Sequence, residues 1–206
     1  VAQPFPALFI ADSRGLDLLN SVATPVDVAI DWIADGDGLL SWLAQARLVS
    51  AAVLSAVRTH AMPGELDRLA AQARSLREWF RGFVHEHRGR PLEAADLGAL
   101  EPLNLLLARD DGFGQIVAQR DGAAGLALQR SRRWSSPESL LLPIGEILAS
   151  LVCEEDFSYI KPCEGPVCSL LFADHTRARA RRWCSMSACG NRAKQAAHRD
   201  RIKRQR

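Results

Sequence analysis

Through most of the chain, apolar residues return at helical intervals. Leu16, Leu19 and Val22 form a short stripe after Asp12. Leu39, Leu40, Trp42 and Leu43 form a second, with Asp37 placed to cap its helix. Ser50 is placed to cap a third, running through Leu54 and Val57. The clearest pattern begins after Gly64: Leu66, Leu69, Ala73, Leu76, Phe80 and Phe83 recur at steps of three and four, as a long amphipathic helix requires. Gly89 ends it. Pro91 opens a further segment with Leu97, Leu100, Leu103 and Leu107 on one face.

The period then changes. QIVAQ (115–119) and LALQRSRRW (126–134) alternate apolar and polar residues around Asp121-Gly122, which predicts a β-hairpin with a loop longer than two residues. Ser136-Pro137-Glu138 marks a helix start, with Pro at the first helical position. That helix carries Leu140, Ile144, Ile147, Leu148 and Leu151. The acidic stretch Glu154–Tyr159 is the natural boundary. The expected fold is mainly α with a small β-hairpin (α+β): a helical body over residues 1–153, then a small module over 160–206.

Charge sharpens this division. The net charge is only +2, yet Arg177–Arg206 hold 11 Lys/Arg against one acid, Asp200, which leaves 15 basic and 23 acidic residues before them. An acidic body with a basic arm suits a polyanionic partner. No apolar run reaches the roughly 18 residues of a membrane span. The opening VAQPFPALFIADSRGLD has neither the basic nor the long apolar region of a signal peptide. A cytoplasmic location with reduced thiols is therefore expected.

The cysteines fall in two pairs, Cys163-x4-Cys168 and Cys184-x4-Cys189, fifteen residues apart. Zinc takes four such donors in a tetrahedron, and two close pairs supply them at small cost in chain entropy. Buried or reactive thiols, or two disulfides, are the competing readings. Glu164, Gly165 and Pro166 favour a tight turn inside the first pair. Cys153, at the end of an apolar helix, reads as a small core residue. His175 and His198 are spare candidates as ligands, while His60, His85 and His87 read as surface residues.

The segment CEGPVCSLLFADHTRARARRWCSMSACGNRAKQAAHRDR strongly resembles the CGNR zinc-finger family. The tetrad Cys189-Gly190-Asn191-Arg192 carries the resemblance, with Phe172-x-Asp174, the run Arg181 to Met186, Lys194 and His198-Arg199. Upstream, Leu16 to Ser21 is similar to the opening motif of the ABATE domain, with Leu and Ser where that family more often has Phe and Thr. The resemblance implies one structural zinc ion and a stress-responsive transcriptional regulator with a sensing or dimerising body. A DNA partner, a small-molecule effector and a homodimer go with that implication.

The residues themselves give part of the same answer. RAKQAAHRDRIKRQR after Asn191 is rich in helix formers. Arg192, Arg199 and Lys203 share one face, with Lys194 on a second stripe. Arg181 and Arg182 add basic residues between the cysteine pairs. These six are the candidate nucleic-acid contacts; a solvated charged tail is the competing reading, and RNA or a protein partner is the alternative to DNA. Asn191 is placed to cap the basic helix. Asp17 and Asn20 are candidate ligand contacts, or else caps and turns. No phosphate loop, nucleophile elbow or zinc-protease helix is present, and four cysteine ligands leave no open position for water, so no enzyme is expected. On a two-domain reading, chelation unfolds residues 163–206 and leaves the body folded.

Overall fold

The computed structural model describes residues 6–24, 29–119 and 125–195. Its spine is the long helix foreseen after Gly64, α4 (Glu65–His87), numbered after α1 (Arg14–Leu19), α2 (Gly36–Gln45) and α3 (Ala51–His60). Leu69, Ala70, Ala73, Phe80, Phe83 and Val84 form its buried stripe. Arg77 and His87 lie on the same stripe and are also buried. Arg77 grips both carboxylate oxygens of Asp31 at 2.8 Å and the Ser21 hydroxyl at 2.9 Å. His87 stacks on Phe83 at 4.2 Å and is not the surface residue its polarity suggests.

Helix α1 is short and almost wholly buried between α4 and the later helix α6 (Leu141–Glu154). A Cβ on Gly15 would lie 2.8 Å from both the Ile147 carbonyl and the Leu151 Cβ, so only glycine permits this approach of α1 to α6. Asp35, not Asp37, caps α2: its carboxylate accepts from the Gly38 N–H at 2.7 Å. Asp37 points outward and pairs with Arg58 at 2.8 Å. Ser50 caps α3 as foreseen.

The segment after Pro91 is broken into a 3₁₀ turn (Ala94–Leu100) and α5 (Glu101–Leu107). The break rotates the buried face to Leu100, Leu103 and Leu106 and leaves Leu97 exposed. The hairpin is present as β3 (Gly112–Ala118) and β4 (Leu126–Arg132), with Ile116 opposite Leu128. The other strands are short antiparallel pairs: β1 (Val22–Ala23) with β2 (Ile30–Asp31), and β5 (Ile160–Pro162) with β6 (Leu171–Ala173). A second 3₁₀ turn (Pro137–Leu140) leads into α6. Cys153, near its end, is exposed rather than in the core, because it falls outside the buried stripe of Ile144, Ile147, Leu148 and Leu151.

The boundary stretch is no loose linker. Phe157 is fully buried, meets Phe83 edge-on at 5.9 Å, and accepts the Gly89 N–H through its carbonyl at 2.8 Å. The hydrophobic core runs on without interruption from Leu16 and Trp42 through Phe157 to Leu170, Phe172, Cys184 and Cys189. Helical body and cysteine segment thus share one interior.

Candidate metal centre

Strands β5 and β6 bring the first cysteine pair to the body. The Cys163 N–H bonds the Leu170 carbonyl at 2.8 Å, and the Cys168 N–H closes a turn on the Gly165 carbonyl at 3.0 Å. Cys184 precedes, and Cys189 lies within, a turn of π-helix, Met186–Gly190, capped by the Ser185 hydroxyl on the Ala188 N–H at 2.9 Å. Ser185 thus takes the capping role that the sequence suggests for Asn191, which already lies inside the helix. Its carbonyl accepts from the N–H of Gly190, five residues on, at 3.0 Å. The wide turn faces Cys189 inward and continues as α-helix over residues 191–195.

The sulfur atoms of Cys163, Cys168, Cys184 and Cys189 all lie within 4.8 Å of one another, and none is in a disulfide. A tetrahedral zinc with Zn–S bonds of about 2.3 Å needs sulfurs about 3.8 Å apart; those of Cys168 and Cys184 are 4.0 Å apart. Backbone donors point at the cluster. The Cys184 N–H reaches the Cys163 sulfur at 3.2 Å and the Gly165 N–H reaches it at 3.5 Å, as suits a charged thiolate. A Cβ on Gly165 would stand 3.0 Å from the Cys189 sulfur, so the turn needs glycine to close over the cluster. As bare thiols Cys168, Cys184 and Cys189 compete for charge. The contact between Cys168 and Cys184 lowers the pKa of the first and raises that of the second, and burial raises that of Cys189. A bound dication reverses this, since a coordinating thiol is deprotonated outright. The donor set fits one zinc ion, which would serve as a structural cross-link. Cys153 is not among the clustered residues, and His175 is turned away to Glu155 at 2.7 Å.

The loop between the pairs is organised by Asp174, which has no solvent exposure. Its carboxylate accepts from Lys161 Nζ at 2.7 Å, from the Thr176 hydroxyl and N–H at 2.6 and 3.0 Å, and from the Arg181 N–H at 3.0 Å. Arg181 in turn is committed inside the molecule. Its guanidinium bonds the Asp12 carboxylate and the carbonyls of Ile10, Trp183 and Cys184, and lies over the Phe172 ring at 4.3 Å. It ties the cysteine segment to the residues before α1, and little of its side chain is left exposed to meet nucleic acid. Sequence reasoning missed this role because the partners lie about 170 residues away.

The remaining candidates divide. Arg182 is exposed, stacks over Trp183 and pairs with Glu164 at 2.6 Å. Arg192 and Lys194 are exposed on the helix, and Arg192 Nε donates to the Ala188 carbonyl at 2.7 Å. Arg199, Lys203 and His198 lie outside the described residues. The structure turns Asp17 and Asn20 inward. The Asp17 carboxylate takes the Ala11 N–H at 3.1 Å and Arg14 at 3.3 Å; burial nevertheless pushes its pKa up. The Asn20 amide joins body to cysteine segment, donating to the Leu171 carbonyl at 2.8 Å and accepting the Leu171 N–H at 2.9 Å. Asn20→Leu should cost about 2–4 kcal/mol, because it strands two buried backbone groups. Denaturant unfolding of the zinc-loaded chain tests this, and a loss within about 0.5 kcal/mol would rule the latch out.

A helical body fused through a shared core to a compact four-cysteine cluster defines a zinc-finger protein. The chain belongs to the ABATE family, described as "Putative stress-induced transcription regulator", whose model matches residues 12–155. The CGNR zinc-finger model matches residues 159–202 directly after it. No curated protein matches the chain. Among the described residues no helix is long and apolar enough to cross a membrane.

Proposed function

We propose that the chain is a DNA-binding transcriptional regulator in which the zinc site fixes the base of a basic recognition helix. One observation carries this reading. The helix bearing the exposed Arg192 and Lys194 starts from the π-turn that presents Cys189 to the cluster. The residues that follow continue the run of positive charge, with Arg199 and Lys203 as further contacts. Lys and Arg on such an element neutralise phosphates and supply affinity without sequence choice, whereas Arg192, nearest the metal, is placed to read a guanine edge. Arg182 flanks the site. The family description supports regulation, and stress is the input it names. Neither family is enzymatic in description, and a four-thiolate zinc has no open position for catalysis.

Duplex binding across a salt series tests the reading. With three to six phosphate contacts, log K against log salt should fall with a slope of about −3 to −5. Lys203→Ala should weaken all sequences alike and reduce the slope by about one, whereas Arg192→Ala should flatten sequence preference. A chain that binds single-stranded RNA as tightly as duplex DNA, or whose affinity survives Lys194→Ala with Lys203→Ala, would overturn it.

A further inference from the structure

The cysteine cluster is one wall of a cavity of about 340 Å³ between the cysteine segment and the body. Most of the remaining lining is apolar, with Leu8, Ile10, Leu170 and Ala193 among it, and Arg192 and Gln195 also border the cavity. Cys168, Cys184 and Cys189 all line it. Of the four cysteines only Cys168 is half-exposed; the other three are buried. An apolar chamber thus leads to three of the four cysteines, and the sulfur of Cys168, the least buried residue of the four, stands 4.0 Å from that of Cys184; Cys168 also borders a second cavity, beside Arg81 and His85.

We infer that this cavity admits an organic hydroperoxide, which oxidises Cys168 and Cys184 to a disulfide and so releases the metal. The inference rests on the zinc reading above and supplies the chemical nature of the stress signal. Thiolates are the nucleophilic form of cysteine. The Cys168 thiolate attacks the outer peroxide oxygen, the O–O bond breaks, and the alkoxide leaves and is protonated to an alcohol. Cys168 is now a sulfenic acid. The Cys184 thiolate attacks its sulfur, the S–O bond breaks, and hydroxide leaves and is protonated to water. Two thiolates give two electrons to one hydroperoxide, and two protons come from solvent. The pair closes from 4.0 Å to the roughly 2.0 Å of a disulfide, which removes two of the four zinc donors. The helix that starts at Met186 then loses its anchor. An apolar alkylating agent would use one sulfur only and leave the paired geometry unused.

The test uses the full, zinc-loaded chain carrying Cys153→Ser, because Cys153 is an exposed thiol outside the cluster. Zinc release is followed with a chromogenic chelator after adding cumene hydroperoxide or hydrogen peroxide, each rate divided by that oxidant's rate with glutathione. Cumene hydroperoxide should be favoured about tenfold, the effect of partly burying one aromatic ring. Peptide mass spectrometry should find Cys168 joined to Cys184 with the loss of two hydrogens. Ala193→Phe, which fills the cavity without altering a ligand, should abolish the preference, with a zinc content of one per chain showing that it folds. Equal normalised rates, a bond between other cysteines, or an undiminished preference in Ala193→Phe would overturn the inference. A chain that binds zinc and keeps it under cumene hydroperoxide defeats this inference alone; a chain that never binds zinc defeats the metal reading and this inference with it.

Discussion

Stripping the zinc with a chelator is expected to unfold the whole chain, not the last quarter of it. A structural four-thiolate zinc is worth on the order of 10–16 kcal/mol, comparable to the roughly 5–15 kcal/mol that holds an ordinary domain together. Were the cysteine segment independent, that loss would stop at its edge. It does not stand apart: Cys163, Cys184 and Cys189 sit in the same apolar cluster as Leu16, Phe157 and Phe172. Asn20 and Arg181 bond across the division. Without the metal, three buried thiols lose their common partner and β6 loses its support against α1. Far-ultraviolet circular dichroism should show helicity lost well beyond the finger, and hydrogen exchange should accelerate in α1 and α4 together with β5 and β6. Protection of α4 unchanged by chelation, with exchange confined to residues 160–195, would restore the picture of two separable units.

Asp174→Ala should be the most damaging single substitution away from the cysteines, at about 3–5 kcal/mol, the usual cost of breaking a buried ion pair from one side. Burial alone would raise the pKa of this carboxyl. Lys161, the two donors of Thr176 and the Arg181 N–H more than reverse that and hold it well below the usual carboxylate range. The sign follows. A depressed folded pKa gives stability that is fully present above the unfolded value, about 3.9, and is lost as pH falls through it toward the folded value. Wild type should therefore exceed Asp174→Asn by a constant margin at neutral pH, and the margin should shrink below about pH 4. Denaturant midpoints of both proteins across pH 3–7 measure it. A margin that stays constant down to pH 3 would mean that the hydrogen-bond geometry, not the charge, does the stabilising.

Local patterns foretold local structure well. The stripe from Leu69 to Phe83, the Ser50 cap and the alternation around the hairpin each rest on neighbours within a few turns, and each is found in place. The cysteine pairs were legible for the same reason: spacing encodes proximity. The errors have physical causes. In Asp35-Gly36-Asp37-Gly38 either acid can cap a helix, and the choice is settled by tertiary contacts of Gly36 with α4: Asp67 accepts its N–H at 2.9 Å, and a Cβ there would meet Leu66. The apolar stripe of α4 does not announce the buried Arg77 among its members, because its partner, Asp31, lies 46 residues away. Arg181 and Asn20 bond residues about 150 to 170 positions distant, which no periodicity reports. The π-turn before Asn191 defeats capping rules written for a 3.6-residue helix.

The Asn20–Leu171 latch also bears on how this protein is to be handled. The natural place to divide the gene, between the two family matches at residues 155 and 159, separates the two ends of one hydrogen-bonded pair. Each fragment would carry away half of a buried seam. The front fragment would present α1 where β6 had covered it; the rear would present Leu170, Leu171 and Phe172, all buried in the intact chain. Half-proteins made for crystallography or binding assays would thus be sticky pieces, and reporter fusions that exchange one finger for another would have to carry Asn20 and the strand it grips as a matched set.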